Sequence, residues 1–144
     1  MASFIYNSYR LKLGDSSTKI NLASDTIKLA LLNASHTPAQ DTHDFFDDVS
    51  ANESSGTGYT AGGATLANQT WTQDNTNDRA VFDGDNVVFT ISSALTARYA
   101  ELYKSTGTAG TSPLIAEIDL ATTYSLASGT LTFTWHANGI FYIS

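Results

Sequence analysis

The clearest pattern along the chain is an alternation of apolar and polar positions with a period of two. In residues 26–32, Ile27, Leu29 and Leu31 alternate with polar or small residues, which predicts a half-buried strand ending at Asn33. The second half of the chain repeats this pattern, and turn-forming residues separate its segments. The strands predicted there are residues 63–73, 79–91, 97–104, 113–120 and 130–143.

The N-terminal segment, residues 4–13, has two possible periods. Ile5, Tyr9 and Leu13 recur at helical spacing, although Tyr9 and Leu13 also fit the alternation of a strand. We favour a short helix here. The pattern as a whole predicts a mainly β fold, an antiparallel β-sandwich or barrel-like domain to which one short N-terminal helix is added.

A long connection at about residues 34–64 lacks strand periodicity. A connection of this length is usually functional, and Phe45 and Phe46 are difficult to hide in an isolated loop. We therefore expect it to be an interaction loop that reaches a neighbouring subunit. Within it, residues 41–46 are compatible with the start of one helical turn, with Asp41 as the N-cap.

Composition supports a single β domain that spans residues 1–144. The length suits one core, and charged residues make up only 15% of the chain against about 25% in ordinary globular proteins. Thr and Ser replace them, and Thr fits the exposed surface of a sheet. A surface poor in charge also resembles the centre of a protein interface.

Charge and hydropathy exclude two classes of partner. The formal net charge of −7 has the wrong sign for binding a phosphate backbone, so no nucleic acid is expected. No apolar run approaches the roughly 20 residues that cross a bilayer, so no membrane is expected either.

Motifs for catalysis or metal binding are incomplete. Asp74 and Asp78 fit positions 1 and 5 of a calcium loop, but Arg79 replaces the glycine of position 6 and Asp85 replaces the glutamate of position 12. The three histidines lack zinc spacing, and there are no cysteines. We expect no catalytic residue, no metal and no cofactor, and the chain is not expected to be an enzyme.

The two tryptophans are predicted to differ. Trp135 shares a strand face with Leu131 and Phe133, which predicts a core position. Trp71 has mostly polar neighbours on its face, which predicts an exposed interface anchor unless a bulge turns it inward. The exposed aromatic rings of such a chain would alternatively suit a sugar-binding face. The predicted interface residues are Phe45, Phe46, Tyr59 and Trp71.

Several segments resemble a widespread group of small structural proteins of tailed-bacteriophage virions. The resemblance follows the chain in order through nearly its whole length, and its motifs are structural. It is carried by DTIKLALL at residues 25–32, SGTGYTAGG at 55–63, RYA at 98–100, LYK at 102–104, PLIA at 113–116 and GTLTFTW at 129–135.

This resemblance implies a virion structural protein that is made in the cytoplasm of the bacterial host. With the small size and low charge, we expect a head decoration protein, or capsid cement, that binds the outer capsid surface. The expected partners are the major capsid protein or other virion proteins, together with further copies of the chain in a homo-oligomer such as a trimer. A tail-associated or fibre-base protein is the alternative, and a carbohydrate-binding module for host recognition is a third reading.

Overall fold

The computed structural model describes residues 2–15 and 17–144, and β-strands dominate it. The prediction of a mainly antiparallel β fold is confirmed, and the predicted N-terminal helix is present as α1. In chain order the elements are β1 (Phe4–Ile5), α1 (Asn7–Lys12), β2 (Ile27–Leu32), α2 (Asp47–Ser50), β3 (Ala64–Thr65), β4 (Thr70–Asp74), β5 (Arg79–Asp83), β6 (Val87–Ile91), β7 (Leu95–Lys104), β8 (Leu114–Leu126), β9 (Gly129–Phe133) and β10 (Phe141–Ile143).

The strands form a large sheet and two small ones. The large sheet has the order β1-β8-β7-β2-β3, and the small sheets have the orders β10-β5-β4 and β6-β9. Buried residues from all three sheets, such as Leu29, Phe82 and Phe133, belong to one hydrophobic cluster. The arrangement is therefore sandwich-like, with apolar sheet faces turned toward one another.

Strands β6 to β9 form one bent ribbon. Leu95 pairs with Leu126 where β7 meets β8, and Ile91 pairs with Gly129 where β6 meets β9. Residues 92–94 and 127–128 lie between these two pairs and make a corner. On one side of the corner the two chain segments pair as β7 and β8 in the large sheet, and on the other side they pair as β6 and β9 in a small sheet.

The long connection packs against its own chain. The backbone N–H of Asn33 donates to the carbonyl of Asn52 at 2.9 Å, and the N–H of Ser54 donates to the carbonyl of Leu31 at 2.8 Å. Gly63, with a φ of 76°, lies so close to the carbonyl of Leu29 that a Cβ atom would collide with it. Whether this loop also contacts a partner stays a prediction.

The predicted helical turn begins later than expected. Asp41 does not cap a helix, because its carboxylate accepts a hydrogen bond from the Asn7 side chain at 2.6 Å. The short helix α2 instead starts at Asp47, and its second residue, Asp48, accepts hydrogen bonds from the backbone N–H groups of Asp44 and Phe45. The predicted helix start at Asp41 is therefore wrong, because α2 begins six residues later.

Three predicted strands are each divided into two. Residues 63–73 are interrupted near Asn68, which has a φ of 51°, and residues 79–91 are divided by an irregular segment after Asp83. Residues 130–143 are divided by a turn at Gly139, which has a φ of 91°. This last break corrects the prediction for Trp135. Strand β9 ends two residues earlier, so Trp135 is half-buried at the edge of the core, and its indole N–H donates to the carbonyl of Asp85 at 2.9 Å.

Candidate functional site

Trp71 lies at one end of a row of aromatic rings across the three-stranded sheet. It pairs with Phe82 on β5, and Phe82 pairs with Phe141 on β10. The ring centroids are 5.3 Å apart for Phe82 and Phe141 and 6.3 Å apart for Trp71 and Phe141. Phe82 is fully buried, whereas Trp71 is half-buried. Trp71 is therefore anchored in the molecule on one side and reaches the surface on the other.

Two clefts meet at Trp71. The first has a volume of about 570 Å³ and is lined by polar side chains such as Gln73 and Arg79, together with Ile143. The second has a volume of about 380 Å³ and is lined by residues that include Leu13 and Ile20. We call this surface the Trp71 face and define it by Leu13, Ile20, Trp71, Gln73, Arg79 and Ile143.

Polar side chains in the first cleft are held in place by their neighbours. The carboxylate of Asp74 accepts hydrogen bonds from Asn77 and from the guanidinium of Arg79, both at 2.8 Å, and these bonds lower the pKa of Asp74. The same guanidinium lies over the ring of Tyr142 at 4.7 Å. A ligand in this cleft would therefore contact side chains whose positions are already fixed.

Large apolar side chains are exposed close to this surface. Leu13, which follows helix α1, lines the second cleft and is 51% exposed, whereas Leu11 on the helix is 76% exposed but lines neither cleft. Tyr142, on the edge strand β10, is 51% exposed as well. Exposed apolar groups beside a partly buried tryptophan are typical of surfaces that bind another molecule.

Phe45 is the predicted interface residue that lies nearest to the Trp71 face. It is half-buried, and the ammonium group of Lys12 lies 5.2 Å from the centre of its ring. Lys12 and Lys19 line both the cleft that contains Trp71 and a smaller one that contains Phe45. Phe45 and Trp71 therefore lie on the same side of the molecule, separated by two lysines.

Phe46 and Tyr59 have roles inside the fold. Phe46 is 6% exposed and is stacked on Tyr103, with ring centroids 4.1 Å apart. The hydroxyl of Tyr59 accepts a hydrogen bond from the backbone N–H of Leu31 at 3.0 Å and donates one to Glu53 at 2.6 Å. Both rings fix the long connection to the sheet beneath it, and the structure does not bring them to the Trp71 face.

Sequence reasoning did not find a polar cluster buried in the large sheet. Glu101 on β7 pairs directly with Glu117 on β8, and their side chains are 0% and 1% exposed respectively. The hydroxyl of Tyr6 lies 3.0 Å from Glu101 and 3.2 Å from Glu117. His36 Nε2 lies 2.9 Å from Glu117. These four side chains form a network between the sheet and the long connection.

Burial raises the pKa of Glu101 well above its ordinary range, and the neighbouring carboxylate of Glu117 raises it further. Burial raises the pKa of Tyr6 as well, so Tyr6 stays a hydrogen-bond donor. Glu101 Oε1 and His43 Nδ1 are buried and have no hydrogen-bond partner among the described residues. Because the cluster is closed to solvent, we assign it a structural role.

The described residues contain no group of three or more His, Asp or Glu side chains that could hold a metal ion. Within the same ranges, 2–15 and 17–144, no helix is both long and apolar enough to span a membrane. Comparisons with protein-family models, with curated proteins and with solved structures found no match to this chain.

Proposed function

We propose that this chain is a structural protein of a tailed-bacteriophage virion, and that it decorates the outer surface of the head. In this role it binds the major capsid protein through the Trp71 face and acts as cement rather than as an enzyme. It is made in the cytoplasm of the bacterial host and is then incorporated into the particle.

The observation that carries the proposal is the half-buried Trp71 between two clefts, with the exposed Leu13 lining the second of them. A tryptophan fixed on one side by Phe82 and Phe141 loses little conformational freedom when a partner covers its other side. Such residues dominate the binding energy of protein interfaces. The resemblance of the sequence segments to virion proteins supports the choice of partner.

The test is the addition of purified protein to phage particles that were assembled without it. We expect the wild-type chain to bind the particles and the Trp71→Ala variant to lose most of its binding. Trp135→Ala is the matched control, because Trp135 is also half-buried but lies outside the Trp71 face. Circular dichroism of each free variant checks that the fold is retained.

Normal binding of a folded Trp71→Ala variant would contradict the use of this face. The number of copies per particle, measured by quantitative mass spectrometry, separates the head from the tail. A protein that follows the head lattice occurs in on the order of hundreds of copies, whereas a tail or fibre-base protein follows the low rotational symmetry of the tail. A low copy number would favour the tail-associated alternative.

A carbohydrate-binding role is the second candidate, and the first cleft favours it. Sugars bind to an aromatic ring flanked by fixed hydrogen-bonding groups, and Gln73, Asp74 and Arg79 line this cleft together with Trp71. Titration of the protein with host cell-wall glycans, followed by isothermal titration calorimetry, tests it. A saturable change that is lost in Trp71→Ala but kept in Gln73→Ala would show that binding depends on stacking against the indole ring and not on hydrogen bonds from Gln73. That result would count against a specific sugar site.

A further inference from the structure

Charge is distributed very unevenly along this chain. All of its Lys, Arg, Asp and Glu residues lie at or before Asp119, so residues 120–144 contain none of them, although the protein has a net charge of −7. The same residues also contain no proline. This stretch includes the end of β8 and the whole of β9 and β10.

The part of this stretch that forms the end of β8 is open to solvent on both faces. Residues 121–130 are all exposed apart from Leu126, which is half-buried. Successive side chains of a strand point to opposite faces, so a run of exposed residues means that neither face is covered. The first half of the same strand, from Leu114 to Glu117, is completely buried.

The outer edge of this region also lacks a strand. In the large sheet β8 lies between β7 and β1, but β1 pairs only with Ala116 and Glu117. In the two-stranded sheet β9 pairs only with β6. β8 and β9 are consecutive along the chain and lie on the same side of the bent ribbon. Their outer edges, which face away from β7 and β6, therefore form one continuous edge. Among the described residues, no strand is paired with this side from Thr122 to Thr132.

Natural β-proteins protect open edges with charged side chains, proline or a bulge that turns the edge away. Here the bulge lies at the near end, where four residues of β8 between Asp119 and Tyr124 face only Arg98 on β7. Beyond it Tyr124, Ser125 and Leu126 return to regular pairing, and β9 pairs regularly through all five of its residues. The far part of the edge therefore carries no charge and is paired regularly on both sides of the corner at residues 127–128.

We propose that this edge, from Tyr124 to Thr132, is an interface between copies of this chain, and that the β8–β9 edges of two copies pair antiparallel about a two-fold axis. Two copies with a net charge of −7 repel one another wherever their acidic surfaces meet. An uncharged edge removes that repulsion and offers backbone N–H and C=O groups for a shared ladder. The same edge lies on both partners, as a two-fold interface requires.

This inference does not depend on the proposed role in a virion. The test is sedimentation of the purified chain over a range of concentrations. We expect wild-type protein to reach the mass of two chains. A triple variant, Tyr124→Lys/Thr130→Lys/Thr132→Lys, places like charges at positions 124 and 132 opposite each other when the two-fold axis passes near Ser128, the middle of the edge, so it should remain monomeric at concentrations where the wild type is a dimer. The corresponding triple aspartate variant should also be monomeric.

Mixing the lysine and aspartate variants should restore the dimer, because opposite charges then face each other. The matched control is Val88→Lys/Thr90→Lys/Thr96→Lys, which changes exposed residues on the inner strands of the same ribbon, directly opposite Thr132, Thr130 and Ser125. It should dimerise like the wild type. The proposal is overturned if the wild type is monomeric at every concentration, if the edge variants dimerise normally, or if the mixture stays monomeric.

Discussion

The two halves of β8 belong to the same strand but lie in opposite environments. From Leu114 to Glu117 every residue is buried, and one of them carries a carboxylate, whereas residues 121–125 are all exposed and carry no charge. The usual rule places charge outside and apolar groups inside. In β8 the rule is reversed, and the reasons differ between the two halves.

In the first half, charge is tolerated because partners surround it. Glu117 faces the hydroxyl of Tyr6 and the imidazole of His36, and burial raises the pKa of the neighbouring Glu101. In the second half, no element among residues 2–15 and 17–144 covers the strand, and charged residues are absent. The buried half is completed by its own loop, whereas the exposed half is suited to completion by another molecule.

The largest effect is expected where the long connection covers the first half. Phe46 is buried against Tyr103, so Phe46→Ala should lower the free energy of unfolding by about 3–5 kcal/mol. Its sequence neighbour Phe45 is only half-buried, and Phe45→Ala should cost clearly less. Urea denaturation of both variants measures the difference. Equal losses would mean that the connection does not cover the sheet as described.

The next effect depends on pH. The pKa of Glu101 is raised in the folded chain above its ordinary value of 4.5, so the folded state holds this proton more tightly than the unfolded state. The contribution of Glu101 to stability is therefore complete below pH 4.5 and is lost as pH rises from there through the folded-state pKa. The slope is at most about 1.4 kcal/mol per pH unit.

Glu101→Gln removes this titration and keeps the shape of the side chain, and its carbonyl can still accept from Tyr6. We expect the variant and the wild type to have similar stability near pH 4, with the variant increasingly more stable toward pH 8. Asp15→Asn, at a fully exposed carboxylate, is the control and should not reproduce this trend. A difference that shrinks with rising pH would contradict the raised pKa of Glu101.

The sequence predicts the strands of both halves but not their environments. Alternation locates β2 and the buried start of β8 because it depends only on neighbouring residues. The Glu101 cluster joins side chains 81 to 111 residues apart, and no local pattern reports such contacts. The strand that carries Trp71 begins after Asn68, which has the left-handed conformation that an asparagine adopts only in some contexts.

A smaller effect is expected at the junction between the connection and the ribbon. Ser54 is buried, and its hydroxyl donates to the carbonyl of Thr96 at 2.7 Å. Ser54→Ala should lower the free energy of unfolding by about 1 kcal/mol, because water can replace the donor at the exposed Thr96. Ser125→Ala, in the exposed half of β8, should have almost no effect on the isolated monomer. Thermal unfolding of both variants makes the comparison, and a larger loss for Ser125→Ala would reverse it.

The smallest expected effect concerns Tyr124, the largest exposed side chain of the uncovered half. It is 44% exposed, so Tyr124→Ala should change the stability of the monomer by no more than about 0.5 kcal/mol. The measurement is urea denaturation at protein concentrations low enough for the chain to be monomeric. At higher concentration the wild type should gain stability from dimer formation, because a partner that binds only the folded state shifts the unfolding equilibrium, and the variant should gain less. A large loss in the monomer would show that Tyr124 packs within its own chain, and the exposed half of β8 would then need no partner to complete it.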